Sequence, residues 1–231
     1  MKLVDFEVHS FHRYRLSREE FARATRPIFP FNEAIRLWLR DRRMDAPFGK
    51  VVVALRPEAE EGPSYNGKAV SALGVCEVYV SVSPDELVRF AGDYQWLSSR
   101  VGFALKGIEA SLLWSSLELV RRVEEVGGAE PVCDYELSRL RKVDRRSGVI
   151  CVTRFVATKE WTKVVVSFFK GDVALSSVEV RSSEKPFALE DEFPIRHAKI
   201  HEGRYILMDG SRKILAAALL PSAAPPSEAT P

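Results

Sequence analysis

Side-chain amides are almost missing from this chain: of 231 residues only Asn32, Asn66 and Gln95 carry one, whereas 29% are Asp, Glu, Lys or Arg. Amides are the thermally fragile polar groups, so a polar surface built from ions instead predicts a protein from a thermophile. Histidine and cysteine are also scarce, at four and three residues, which leaves little material for a metal cluster or a disulfide framework. No G-x-S-x-G elbow, G-x-G-x-x-G turn or C-x-x-C pair occurs. The chain therefore offers no complete catalytic signature and names no cofactor. A triad assembled from distant residues would leave no such trace, so the question of an enzyme stays open with the weight toward none.

Long apolar runs are missing as well. Met1 to Asp5 has no uninterrupted apolar stretch that could act as an export signal. Val101 to Val120 is the most apolar segment, but Lys106, Glu109 and Glu118 lie inside it, and each would cost several kcal/mol in lipid. A buried core helix fits better than a membrane span. Cys76, Cys133 and Cys151 are an odd number, widely spaced in apolar runs, and read as reduced, buried thiols of a cytoplasmic protein. A large charge of one sign is absent too: 34 Lys and Arg against 32 Asp and Glu give +2, so no global field attracts a polyanion.

What is present is a succession of well-punctuated elements. Residues 2 to 9 alternate like a strand, and Ser17-Arg18-Glu19-Glu20 has the form of a capping box, opening a short helix that Pro27 and Pro30 should stop. Asn32 is placed to cap a second helix ending in Arg40 to Arg43. Lys50 to Leu55 and Val70 to Ser83 read as strands, the latter bent at Gly74. Ser83-Pro84-Asp85-Glu86 is the strongest helix start in the chain, and the pattern remains helical to Val126 as one broken helix or two. After Pro131 come Val132 to Val143, Val149 to Ala157, Thr162 to Phe169 and Val173 to Arg181, short-linked apolar runs that predict an antiparallel meander. Arg204 to Met208, Asp209-Gly210 and Arg212 to Leu219 predict a hairpin.

The fold class that follows is α+β, with a largely antiparallel sheet packed on a long, broken helix and a β-meander at the C-terminal end. Residues 1–130 form an α/β part holding two short helices and the long helical segment. Residues 131–220 form the meander and hairpin on a shared core, and 221–231, rich in Pro and small residues, a disordered tail.

Candidate sites are few. Gly62 to Ala69 matches the G-x-x-x-x-G-K phosphate loop, but it carries Ala69 at the hydroxyl position and lacks the flanking strand and helix, so a plain loop is the better reading. His197 and His201 are four apart and share a face on a helix or a strand, making them weak candidates for gripping a metal together. Glu190, Asp191 and Glu192 read as a solvated acidic turn. Gly107, Ser111 and Ser115 fall four apart on the long helix and form a small-residue stripe that suits close packing, within the chain or as a homo-oligomer seam.

Charge is distributed unevenly. Residues 132 to 182 hold ten Lys and Arg against six acids, while 61 to 131 hold six against ten. Arg139, Arg141, Lys142, Arg145, Arg146, Trp161 and Lys163 combine cations with an aromatic ring on the meander, the recipe for single-stranded nucleic acid. The functional expectation is an intracellular, non-catalytic binding or assembly protein with nucleic acid or protein as partner, able to form a homo-oligomer. The alternative is a small-molecule enzyme or carrier with an apolar pocket between sheet and long helix, anchored by Arg154.

Overall fold

A computed structural model describes residues 1–57, 66–184 and 194–221. The protein is α+β, with twelve strands in three sheets among the described residues and most strand pairs antiparallel. It falls into two compact units, Met1–Cys133 with Thr158–Glu160, and Asp134–Ala157 with Trp161–Pro231.

The first unit begins with β1 (Asp5–Ser10), α1 (Arg18–Thr25) and α2 (Ile28–Arg42). The capping box forms: the Glu20 amide donates to Ser17 Oγ at 3.2 Å and the Ser17 amide to Glu20 Oε2 at 3.0 Å. Asn32, expected as a cap, instead lies inside α2, which starts four residues earlier behind Pro27. Proline is tolerated there because amides of the first turn have no intrahelical acceptor, so Pro30 at the third position costs no hydrogen bond. Next come β2 (Lys50–Arg56), β3 (Ala69–Ala72) and β4 (Val75–Ser81). The expected single strand from Val70 to Ser83 is a hairpin, turned by Leu73 and Gly74 at φ 52° and 79°. Both central residues at positive φ is the turn type that matches strand twist.

This sheet has the order β1-β2-β4-β3, with β1, β2 and β4 mutually parallel and only β3 antiparallel. Here the sheet departs from the antiparallel pattern because α1 and α2 return the chain to the starting edge of the sheet before β2. Phe6, Val8, Val51, Val53, Leu55, Val78 and Val80 point to one face and join Phe31, Ile35, Leu39, Val101, Leu105 and Ile108 in one core.

The segment expected as one or two helices is three: α3 (Pro84–Arg89), α4 (Tyr94–Leu112) and α5 (Leu117–Gly128). Asp93 restarts the helix by accepting from the Trp96 amide at 2.9 Å, and Leu113, left-handed at φ 52°, ends α4. Gly102 and Gly107 do not break α4, because buried Val101, Ala104, Leu105 and Ile108 fasten it to the core. No helix among the described residues is long and apolar enough to cross a membrane.

The second unit contains β5 (Cys133–Glu136), β6 (Lys142–Val143), β7 (Val149–Ala157), β8 (Thr162–Lys170) and β9 (Val173–Ser183). They form a sheet of order β5-β7-β8-β9 with β6 on β7. β9 is an eleven-residue edge strand, largely exposed on both faces, and its register against β8 slips at Leu175 and Val180. A third sheet joins β10 (His197–His201), β11 (Arg204–Met208) and β12 (Ile214–Leu219) in antiparallel order. At the centre of this unit Tyr205 is fully buried; its hydroxyl donates to the Leu140 carbonyl at 2.6 Å and accepts from Thr153 Oγ1 at 2.7 Å.

Candidate functional site

The meander residues singled out for nucleic acid do not form one surface. Lys142, Arg145 and Arg146 lie at the end of β7 that begins with Val149, and Trp161 and Lys163 at the end closed by Ala157 and Thr162. Along β7 the turn holding Arg145 and Arg146 lies about 27 Å from Trp161, and Lys142, level with Cys151, about 17 Å from Lys163, level with Val156. Three of the six cations are also engaged within the unit. Arg141 meets Glu136 at 3.2 Å, and Lys163 meets Glu179 at 2.7 Å while lying 4.8 Å from the Trp161 ring centroid. Arg139 donates to the Ile195 carbonyl at 3.0 Å.

Arg154, the proposed anchor of an apolar pocket, is exposed and held by both oxygens of Asp134, at 3.1 and 2.5 Å. His197 and His201 are exposed on β10 and share a face, but four strand residues put their Cα atoms about 13 Å apart, too far to share one ion. No group of three or more metal-ligating side chains gathers among the described residues. The small-residue stripe is also interrupted. Helix α4 ends at Leu112, so Ser115 falls in the link that follows, while Gly107 packs on the Gly67 carbonyl so tightly that a Cβ would sit 1.9 Å from its oxygen. Within the phosphate-loop match, Ala69 opens β3 rather than a helix; residues 62–65 lie outside the described residues, as do Glu190 to Glu192 and the tail from 222.

The groups most suited to nucleophilic or proton-transfer chemistry are engaged otherwise. All three thiols are buried; burial pushes Cys76 up to about 11 and Cys151 up to about 12, which keeps both protonated and unreactive. His12 is buried in the turn after β1, within 3.0 Å of Ser10 Oγ at Nδ1 and 2.7 Å of the Val82 carbonyl at Nε2. A carbonyl only accepts, so Nε2 carries the proton and Nδ1 accepts from Ser10. The ring ties the ends of β1 and β4 together.

The surface that stands out is the other face of the β1-β2-β4-β3 sheet, which sequence reasoning missed. Alternation along the strands puts Asp5, Glu7 and His9 of β1, Lys50, Val52, Ala54 and Arg56 of β2, and Val75, Glu77 and Tyr79 of β4 on this face. The register sets His9, Ala54 and Tyr79 in one row. Ala54 is fully buried beneath its neighbours, and Arg56 lies between the rings of Phe11 and Tyr79, 4.2 and 4.4 Å from their centroids, with Glu77 at 3.5 Å. His9 meets Phe11 edge-on at 4.7 Å.

At the opposite end, Lys50 reaches Glu7 at 2.6 Å and Asp5 at 3.4 Å, and Arg36 reaches Asp5 at 2.8 Å and Glu33 at 2.6 Å. The Glu7 hydrogen bond holds Lys50 above the usual lysine range. Burial alone would lower Arg36, yet Glu33 and Asp5 hold it above its ordinary value. The nearest sequence signal was the strand alternation itself, since Phe11, Arg56 and Tyr79 are far apart in the chain and meet only through the parallel register.

No protein-family model, curated protein or solved structure matches this chain.

Proposed function

We propose that the protein is a non-catalytic assembly protein that packs against a second copy of itself through the open face of its N-terminal sheet. The observation that carries this reading is Arg56 stacked between Phe11 and Tyr79 on that half-exposed face. Parallel strands are normally covered on both faces, and among the described residues the helices of the unit supply one layer. Arginine and tyrosine are also the residue types that dominate interface energetics, whereas a ligand site would be concave.

A second copy is the occupant its charges favour. The face carries both signs in near balance at each end, with Asp5 and Glu7 answered by Lys50 and Arg36 at the start of the strands and Glu77 by Arg56 toward their ends. A second copy laid across it by a two-fold axis would meet no excess charge of its own sign, as an isologous contact needs. A polyanion would find no surplus of cations there. Buried thiols support a reducing compartment, and the network of Asp5, Glu7, Glu33, Arg36 and Lys50 supports a thermophilic origin.

Sedimentation equilibrium over a wide concentration range tests the proposal. The wild-type chain should dimerise, and Tyr79→Ala with Arg56→Ala should weaken the association at least about tenfold. A wild-type monomer at the highest attainable concentration ends this reading. A salt-dependent shift of a single-stranded oligonucleotide, lost on changing Arg145 and Arg146 to Ser, would replace it with a polyanion role.

A further inference from the structure

We propose that the cleft between the C-terminal end of α2 and the helix α5 binds a phosphate group. The cleft lies in the helical layer, on the side of the unit opposite the open sheet face, so it stands or falls independently of self-association. Its volume is about 210 Å³, and it is lined by Trp38 and Arg42 of α2 and by Glu118, Arg121, Arg122 and Glu125 of α5. Three guanidiniums therefore line a space with room for a phosphate and the group that carries it. Guanidinium is the side chain whose planar fork of donors fits a phosphate's oxygens best.

Two of the three guanidiniums in this cluster are not held by a carboxylate among the described residues. In the second unit Arg141, Arg154 and Lys163 each meet a carboxylate. Here neither Arg42 nor Arg121 pairs with a carboxylate among the described residues. Arg42 lies 6.0 Å from the centroid of the Trp38 indole, whose face steadies the guanidinium without consuming a donor. Arg122 is half-buried: its Nη1 donates to Glu125 Oε2 at 3.2 Å, but its Nε is buried with no acceptor. A buried donor without an acceptor carries a desolvation cost that a ligand oxygen would remove.

Local structure explains why these groups converge. α5 buries Leu119, Val123 and Val126 in the core, so the positions flanking that stripe, Glu118, Arg122 and Glu125, form the rim toward α2. The lining holds three cations and two acids, a small positive surplus that suits one phosphate better than a polyanion. Glu125 is occupied with Arg122. Glu118 is the remaining acceptor, and it can take a hydrogen bond from a protonated phosphate oxygen. Sulfate, fully deprotonated, has no such proton and would face Glu118 as a repelling charge.

Calorimetry and thermal unfolding of the full chain in inorganic phosphate near pH 6, at low ionic strength, with sulfate in parallel, test this directly. One phosphate should bind per chain and raise the unfolding temperature. Arg121→Gln and Arg122→Gln should each weaken binding at least about tenfold, and sulfate should bind the wild type about tenfold more weakly than phosphate. The proposal is overturned if the wild type shows no saturable phosphate binding, if binding is unchanged in both variants, or if sulfate binds as well as phosphate. The wild-type measurements alone decide the matter should a variant fail to fold.

Discussion

Asn32 does for β1 what a neighbouring strand would do. Its Oδ1 accepts from the Val8 amide at 2.8 Å and its Nδ2 donates to the Val8 carbonyl at 3.1 Å, while Arg36 Nε donates to the Phe6 carbonyl at 2.9 Å. Two side chains of α2 thereby satisfy an edge that would otherwise expose or bury unpaired backbone groups. Asn32→Leu should cost about 2–3 kcal/mol, because it leaves the Val8 amide and carbonyl buried without partners, a loss readable in urea denaturation. This also gives one of only three amides in the chain a reason to be there: neither a carboxylate nor an ammonium can both donate and accept across a single residue.

The buried hydroxyl of Tyr205 and the buried thiols give the same scale a pH dependence. Burial raises Cys76 from 9.0 to about 11, Cys151 from 9.0 to about 12, and Tyr205 from 10.0 to about 12. The folded chain keeps these protons where the unfolded chain loses them. Stability from these groups is therefore complete below about pH 9 and declines as pH rises toward 12. Changing both Cys76 and Cys151 to Ala should move the onset of alkaline unfolding up toward pH 10, where Tyr205 begins to contribute. Denaturant midpoints measured from pH 7 to 12 check the sign and the window.

At the level of elements, the turn between β3 and β4 places Leu73, fully exposed, in a left-handed conformation that side chains other than Asn, Asp and Gly rarely adopt. Leu73→Asn should stabilise the hairpin by about 0.5–1 kcal/mol, visible as a higher unfolding temperature. The same turn shows where sequence reading stops. A Leu-Gly pair carries no turn signature, so Val70 to Ser83 reads as one strand. Ser17 and Ser83, by contrast, carry their caps in four consecutive residues and were legible. The later runs of the meander and the Asp209-Gly210 hairpin were legible for the same reason, that their information is local, whereas the first run, Val132 to Val143, is broken by a turn at Ser138–Leu140. The start of α2, the breaks at Asp93 and Leu113 and the cluster of Arg56, Phe11 and Tyr79 depend on packing between distant segments, which no local pattern encodes.

On the scale of the whole molecule, the ionic composition takes the form of networks as well as isolated pairs. Asp5, Glu7, Glu33, Arg36 and Lys50 share contacts across two strands and a helix. Ion networks strengthen relative to their desolvation cost as temperature rises. The unfolding temperature should therefore exceed the roughly 45–65 °C usual for mesophilic domains, and added salt should lower it; calorimetry at two ionic strengths tests both. A Tm inside the mesophilic range would remove the thermophile reading.

The register slips at Leu175 and Val180 bear on how this protein survives at high concentration. A long edge strand with Val173, Leu175 and Val178 exposed among the described residues is a template onto which foreign chains could be recruited into fibrils. Two kinks spaced along that edge deny any straight newcomer a continuous ladder of hydrogen bonds.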